Sequence, residues 1–397
     1  MTVPDRPTIR LLPKTDPRPI RRGAPWVYAN QLVMDRRTKA LPPGSLAVLE
    51  DGERRPLGLV AVNPASKIAA RMLDRDAGAA VDASWIAARL EHALALRNRL
   101  FDAPFYRLVH AEADGFPGVV IDRFGDAAVI QPNAAWAEVQ IDLIAQALTE
   151  VAGITTVVKN TASRARALEG LDDQSAVLTG ALDGPIPVPM NGATYMADLT
   201  GGQKTGLFYD QRPNHAFAAR LASGARVLDV FSHVGGFALA ALAGGATSAL
   251  AIDASAPALA LAEAGAKASG MVERFTTRQG DAFDVLEALT EETAQFDLVI
   301  CDPPAFAPAK PALDKGLRAY ERVARLSAGL VAPGGALVLC SCSHAADLAK
   351  FRTASLRGIG RAGRMGQLLY TGFAGPDHPQ HPHLAESAYL KALVFRL

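Results

Sequence analysis

The sequence predicts an α/β protein whose C-terminal half is a doubly wound parallel sheet, preceded by a central α/β domain and a small β-rich domain. Three observations carry that expectation. From Arg226 onward, short apolar runs alternate regularly with helical segments, the rhythm of repeated βα units. The runs Leu298–Cys301 and Ala336–Cys340 are apolar without alternation, as strands covered on both faces are. A chain of 397 residues also exceeds what one hydrophobic core usually reaches, so two or three domains are expected.

The elements follow in order. In residues 1–75, "SLAVLED" and "PLGLVAVN" are short strands separated by Pro and Gly, which gives the β-rich domain. Residues 76–185 form the central domain. The stretch from about Ala77 to Leu100 has helical period, with Ile86, Leu90, Ala93 and Leu96 on one face. "RLVHAEADGFPGVVIDRFGDAAVIQ" then supplies two strands around turn residues, a second helix covers about Ile141–Glu150, and "ITTVVKN" adds a strand. Residues 186–397 are the third domain, entered by Pro-punctuated strands in "GPIPVPMNGATYMADLT". Its βα series begins with "ARVLDVF", a helix start at "GGFALAALA", the strand "SALAIDAS", and a helix over "APALALAEAGAKASG" that Gly270 ends. "RFTTRQGDAF", "FDLVICDPP" and "GGALVLCSCS" are its third, fourth and fifth strands.

Composition narrows the classes. With 49% hydrophobic and 20% charged residues the chain is an ordinary globular one, and its net charge of +1 advertises no polyanionic partner overall. Residues 1–40 nevertheless hold nine Lys/Arg against three Asp, a basic start suited either to phosphates or to a solvated face. Three cysteines are too few for a disulfide framework and fit a reducing cytoplasm. The first forty residues carry no apolar segment of the signal-peptide kind. Val234–Ile252 is uncharged, but Gly244-Gly245 divides it into helix, turn and strand, and no membrane partner is expected.

The strand ends of the third domain carry a series of acids. Asp229 ends the first strand, followed by Phe231 and then Gly235-Gly236, which allow close approach before a helix. Asp253 ends the second, placed to accept from ribose hydroxyls. Asp281, Ala282 and Phe283 follow the third, where an acid and an aromatic can hold an adenine ring. Asp302 ends the fourth, before Pro303-Pro304. In open parallel sheets ligands bind at these ends. A dinucleotide loop needs G-x-G-x-x-G and a phosphate loop needs G-x-x-x-x-G-K-[ST]; the segment has neither. Any one Asp could be a helix cap, yet four in strand order point to a cofactor without phosphates, of which S-adenosylmethionine is the common one.

The segments "DLTGGQKTGLFYDQRPNH", "LDVFSHVGGF", "CDPPAF", "SCS" and "DHPQHPHLAESAYLK", with "RRGAPWVYAN" and "AEADGFPGVVIDRF" earlier, span nearly the whole chain. Together they resemble the bacterial large-subunit ribosomal RNA cytosine-C5 methyltransferases with an N-terminal PUA domain. That resemblance implies a PUA domain, a central α/β domain, a Rossmann-like methyltransferase domain using S-adenosylmethionine, and a cytosine in large-subunit ribosomal RNA as substrate. A homodimer is left open. Two places depart from the family pattern. His233-Val234 precede the glycines where an aromatic-Thr pair is usual, and Ala385-Glu386-Ser387 replaces Pro-Glu-Gly.

The chemistry implied is demanding, because C5 of cytosine is a poor nucleophile. A thiolate added to C6 makes C5 enamine-like, and the thiolate leaves after methyl transfer and loss of the C5 proton. Cys342, just past the fifth strand, is the expected nucleophile; Cys340 and Cys301 are expected to pack. Asp302 would also meet the N3/4-amino edge of the base and Phe306 would stack on it, with Pro303 and Pro304 beside it. Gln211, Arg212 and Lys204 would hold the cofactor carboxylate or RNA phosphates. No metal is expected: "CSCSH" lacks a second ligand pair, and His378, His381 and His383 are expected in a surface loop. Two alternatives stay open at this point. "DPP-x-F" also suits methylation of a purine or an exocyclic amine without a thiolate, and the fold could serve a non-catalytic RNA-binding or assembly protein.

Overall fold

The structure is a computed structural model that describes residues 6–201 and 205–397; Lys204 lies outside the described residues. The chain divides into two compact units. The first comprises residues up to Asp183 together with Leu199–Gly206 and Asp377–Ala385; the second comprises Gly184–Asp198, Leu207–Pro376 and Glu386–Leu397.

The first unit holds two five-stranded sheets. One runs in the order Thr8–Arg10, Ser45–Glu50, Pro56–Val62, Ala70–Asp74, Trp26–Val27, around a core that includes Ile9, Leu11, Leu49 and Val60. The other runs Ala176–Thr179, Thr156–Lys159, Ala127–Pro132, Val119–Phe124, Phe105–His110. It shares its core with the helices Ala83–Leu100 and Ile141–Ala152. Three expectations are corrected here. The first helix begins at Ala83 rather than near Ala77, because the Asp82 carboxylate caps it by accepting from the Trp85 backbone N–H at 3.0 Å. Its buried stripe is Ile86, Leu90, Ala93 and Arg97, while Leu96 is exposed. The expected pair of strands over residues 105–132 is three, because Gly125 at φ 67° turns the chain in a two-residue loop after Phe124.

Arg97 is the unusual member of that stripe. Its guanidinium is fully buried, bidentate to Asp114 at 2.6 and 2.7 Å, and also donates to the backbone carbonyls of Arg107 and Asp377. Asp377 accepts in turn from the Arg107 backbone N–H at 3.1 Å, and His378 is buried beside it. The expected surface loop is therefore exposed at His383 but buried at His378. Among the described residues, no group of three potential ligands could hold a metal.

The second unit opens with a hairpin, Ile186–Met190 and Ala193–Ala197, turned by Asn191 and Gly192 at φ 52° and 77°. Its main sheet has seven strands: β1 (Arg226–Val230), β2 (Ser248–Asp253), β3 (Phe275–Gln279), β4 (Phe296–Cys301), β5 (Val331–Ser341), β6 (Gln367–Gly372) and β7 (Lys391–Arg396). The order in space is β3-β2-β1-β4-β5-β7-β6, with β7 antiparallel to both of its neighbours. The helices α1 (Gly236–Ala243), α2 (Ala256–Ala268), α3 (Ala282–Glu291), α4 (Leu313–Gly329) and α5 (Leu348–Arg361) make the crossovers, the doubly wound arrangement expected of alternating βα units. Val234–Ile252 is indeed helix, turn and strand, and no described helix is long and apolar enough to cross a membrane.

Candidate active site at the carboxyl ends of the parallel strands

The strand order reverses between β1 and β4, which opens a crevice at their carboxyl ends. Read across the sheet from β3 to β5, those ends carry Asp281, Asp253, Asp229, Asp302 and Cys342 in spatial order. The four acids therefore occupy adjacent strands, and the thiol lies one strand beyond the last of them.

Asp229 is fully buried. Its Oδ2 accepts from the Ala238 backbone N–H at 2.8 Å, in the first turn of α1, while Oδ1 has no partner among the described residues. Burial pushes its pKa up to about 8 against that backbone donation, and the nearby Asp302 and Asp253 carboxylates raise it further. Such an environment suits a neighbouring positive charge. Asp253 receives the His233 and Ser255 backbone N–H groups at 2.9 Å each, one per oxygen, and its remaining lone pairs stay available for hydroxyls. Between these acids the loop after β1 is strained: Phe231 and His233, neither of them glycine, adopt φ 63° and 51°. Gly235 also has positive φ, at 78°. A Cβ on Gly236 would lie 2.9 Å from the His215 imidazole, so the space left by that glycine is filled by the protein's own ring.

Asp281 is exposed and caps α3, accepting from the Phe283 N–H at 2.8 Å; Ala282 is buried in the same turn. Phe306 packs among Phe231, Phe283 and Tyr320, with ring centroids 6.3, 6.2 and 5.0 Å away. It forms one wall of an aromatic group spanning the ends of β1, β3 and β4. Gln211 is buried and donates its amide to Asp302 Oδ2 at 2.9 Å; its own oxygen accepts from Asn214 at 2.6 Å. Arg212 begins the next helix, its guanidinium carbon 5.2 Å from the Tyr209 ring centroid. Gln211 thus orients the Asp302 carboxylate at the end of β4, a contact that its position before β1 did not reveal.

Cys342 is half-buried, with Sγ 4.0 Å from the Pro303 carbonyl oxygen. Pro303 itself is buried and Pro304 exposed. The two serines of "SCS" explain how the thiol is presented. Extended backbone sends alternate side chains to opposite faces, so Ser341 and Ser343 point away from Cys342. Both meet the Tyr320 hydroxyl on α4, at 2.9 and 2.7 Å, and Ser343 Oγ also accepts from the Ala307 N–H at 2.9 Å. The hydroxyl cluster pins both neighbours of the cysteine. Cys340 and Cys301 are buried as expected, and burial pushes the Cys301 thiol up to about 12.

Residues 150–396 match the profile of an S-adenosylmethionine-dependent methyltransferase family, and residues 9–75 match a PUA-like domain. The chain belongs to the S-adenosylmethionine-dependent methyltransferases. A protein named ribosomal RNA large subunit methyltransferase from Deinococcus radiodurans is 36% identical over 95% of this methyltransferase and 94% of its own length. One named ribosomal RNA large subunit methyltransferase I from Alteromonas mediterranea is 35% identical over 94% and 95%. A solved chain from Streptococcus mutans, described as a SAM-dependent methyltransferase, shares the fold with TM-score 0.82 at 19% identity, covering 98% of this chain and all of that one.

The cofactor is S-adenosylmethionine, and the residues at the crevice fit it. The molecule carries a sulfonium and an ammonium, and the buried, unpartnered Asp229 Oδ1 beside two further carboxylates is an environment that favours positive charge. Asp253 retains acceptor capacity for a ribose, and the methyltransferase needs no phosphate loop. Several residues that position this site carry no motif of their own. Tyr320, Asn214 and Lys391 lie far in sequence from what they touch and become visible only when the sheet is assembled. Tyr389, whose hydroxyl donates to Asp210 at 2.6 Å, is another.

Proposed function

We propose that this methyltransferase forms 5-methylcytosine in large-subunit ribosomal RNA through a covalent adduct between Cys342 and C6 of the base. One observation carries the reading: a half-buried thiol is held beside the Asp302 crevice by a hydroxyl cluster that fixes both flanking residues. The names of the relatives, at 36% and 35% identity over nearly the full length, support the ribosomal substrate.

S-adenosylmethionine supplies the electrophilic methyl group when bound. Asp229 and Asp253 hold the cofactor; Phe231 and Phe283 line its adenine side, and Phe306, packed against both, stacks on the target base. Cys342 thiolate forms a bond to C6, and the C5–C6 π pair becomes available at C5. Asp302, oriented by Gln211, meets the N3/4-amino edge and supports the charge that develops there. After methylation a solvent base takes the C5 proton, the C5–H pair re-forms the C5–C6 double bond, and the C6–S pair leaves on the Cys342 thiolate. The position after Pro303-Pro304 is Ala305, so no second cysteine stands there to take the C5 proton, and a base other than Cys342 receives it. An unstacked or extruded base is needed for this approach. The PUA-like domain and the basic N-terminal stretch suit binding to the RNA backbone, with a salt-dependent affinity.

Mass-spectrometric mapping of ribosomal RNA with and without the protein identifies the product base. Cys342→Ala should abolish methyl transfer while S-adenosylmethionine binding persists, and RNA carrying 5-fluorocytosine should trap the wild type covalently. A Cys342→Ala protein with full activity would transfer the reaction to a purine or exocyclic amine.

A further inference from the structure

Lys391, the first residue of β7, is only 4% exposed. Its register partner on β5 is Ser341, the residue before Cys342. Nζ donates to the carbonyl oxygens of Ser343 at 2.7 Å and Ala346 at 2.8 Å. These two carbonyls bracket the loop that leaves the cysteine. Among the described residues no carboxylate lies within ion-pair distance of this ammonium. The nearby Asp347 caps α5 and bonds Lys350 instead. A buried lysine held by two neutral carbonyls is a costly way to close a loop, because carbonyl dipoles compensate an ammonium less well than a carboxylate does. The electrostatic partners that face it are Cys342 from the end of β5 and Asp347 from the start of α5, with Cys342 the stronger of the two. Tyr320 is the other titratable group that senses Cys342, from α4.

We propose that Lys391 is the positioning residue that sets the reactivity of Cys342: its ammonium fastens the loop behind the thiol and supplies the positive charge that favours thiolate. The proposal rests on the reading of Cys342 as nucleophile and adds the group that readies it. A cationic neighbour lowers the cost of a thiolate, while apolar burial raises it. Desolvation pulls the Lys391 pKa down to about 8, against the opposing pull of Cys342 and Asp347, so below that pH the nitrogen keeps its proton and faces the thiol as an ammonium. In the step itself the thiol S–H bond breaks, its proton passes to solvent, and the remaining pair on sulfur adds to C6.

The test reads the thiol directly, without substrate. Alkylation of the Cys342 peptide by iodoacetamide is followed by mass spectrometry from pH 6 to pH 10 on the full chain, in wild type, Lys391→Arg and Lys391→Met. Wild type should show a midpoint below the roughly 8.5 of a free cysteine. Lys391→Arg should stay close to wild type, and Lys391→Met should alkylate about tenfold more slowly at pH 7. A Lys391→Met protein that melts as a folded chain and alkylates with the wild-type profile would overturn the proposal. Should that variant fail to fold, a wild-type midpoint at or above the free-cysteine value overturns it equally. The nucleophile reading fails separately, through an active Cys342→Ala protein, so the two outcomes are distinguishable.

Discussion

Tyr320→Phe removes one oxygen atom and nothing else from the support of the cysteine loop. The hydroxyl is buried, and it bridges Ser341 and Ser343 at 2.9 and 2.7 Å. Both serines are fully buried, so neither can turn to solvent for a replacement. Ser343 keeps the Ala307 N–H that it accepts, and Ser341 keeps a weak 3.3 Å contact from the Ser343 N–H, but the Ser341 hydroxyl hydrogen loses its acceptor and Ser343 loses its hydroxyl partner. Two hydrogen bonds at roughly 1 kcal/mol net each, with a buried donor left unpaired, make the loss about 2–3 kcal/mol. For a unit of about 200 residues that corresponds to a fall in Tm of roughly 4–10 °C. The activity should fall further than the stability suggests, by about tenfold to a hundredfold in kcat, because a small misplacement of an attacking atom is expensive. Differential scanning calorimetry and a methyl-transfer assay below the melting range measure the two effects. A variant that melts within a degree of wild type and keeps its kcat would refute the claim that the hydroxyl cluster presents Cys342.

The other expectations concern the crevice. Asp229→Asn should abolish S-adenosylmethionine binding by calorimetry and should also change the pH profile of the cofactor-free protein. With the folded pKa raised to about 8 against roughly 3.9 in the unfolded chain, the folded state binds the extra proton between those values, so wild-type stability falls as pH rises from about 4 to 8. Melting scans at pH 5, 7 and 9 should show that fall diminished in the variant; parallel curves would count against a buried carboxyl with a raised pKa. Gly236→Ala drives a Cβ to 2.9 Å from the His215 ring and should cost about 1–3 kcal/mol in chemical denaturation with weaker cofactor binding. Gln211→Leu leaves the Asp302 carboxylate without its amide donor, so kcat should drop with little change in the binding of S-adenosylmethionine.

Local pattern made the second unit readable in advance. Unbroken apolar runs gave β4 and β5 because strands covered on both faces need no polar residues. Acids at successive strand ends gave the crevice, because the topology of a parallel sheet gathers those ends at one edge. What stayed hidden depends on long-range pairing. Lys391 reads as the polar start of an apolar strand until antiparallel pairing sets it opposite Ser341. Tyr320 reads as one apolar position on an amphipathic helix until its hydroxyl meets the serines. The same limit applied earlier in the chain. Helical period favours Leu96 and Arg97 almost equally, and a bidentate Asp114 makes the charged residue the buried one. The hairpin at Gly125 escaped because its loop is only two residues long and the flanking run reads as one continuous strand.

The segment Asp377–Ala385 gives the chain an order of assembly. The first unit occupies the opening 183 residues, yet the carbonyl that completes Arg97 and the carboxylate that receives the Arg107 N–H both belong to Asp377. During synthesis, about 170 residues must leave the ribosome after Gly206, where the first unit is otherwise complete, before its most deeply buried arginine is fully satisfied. The β7 strand that carries Lys391 follows within fifteen residues of Asp377. Completion of the first unit and arrival of the last strand of the second are thus nearly simultaneous, and a chain truncated anywhere before Asp377 loses both.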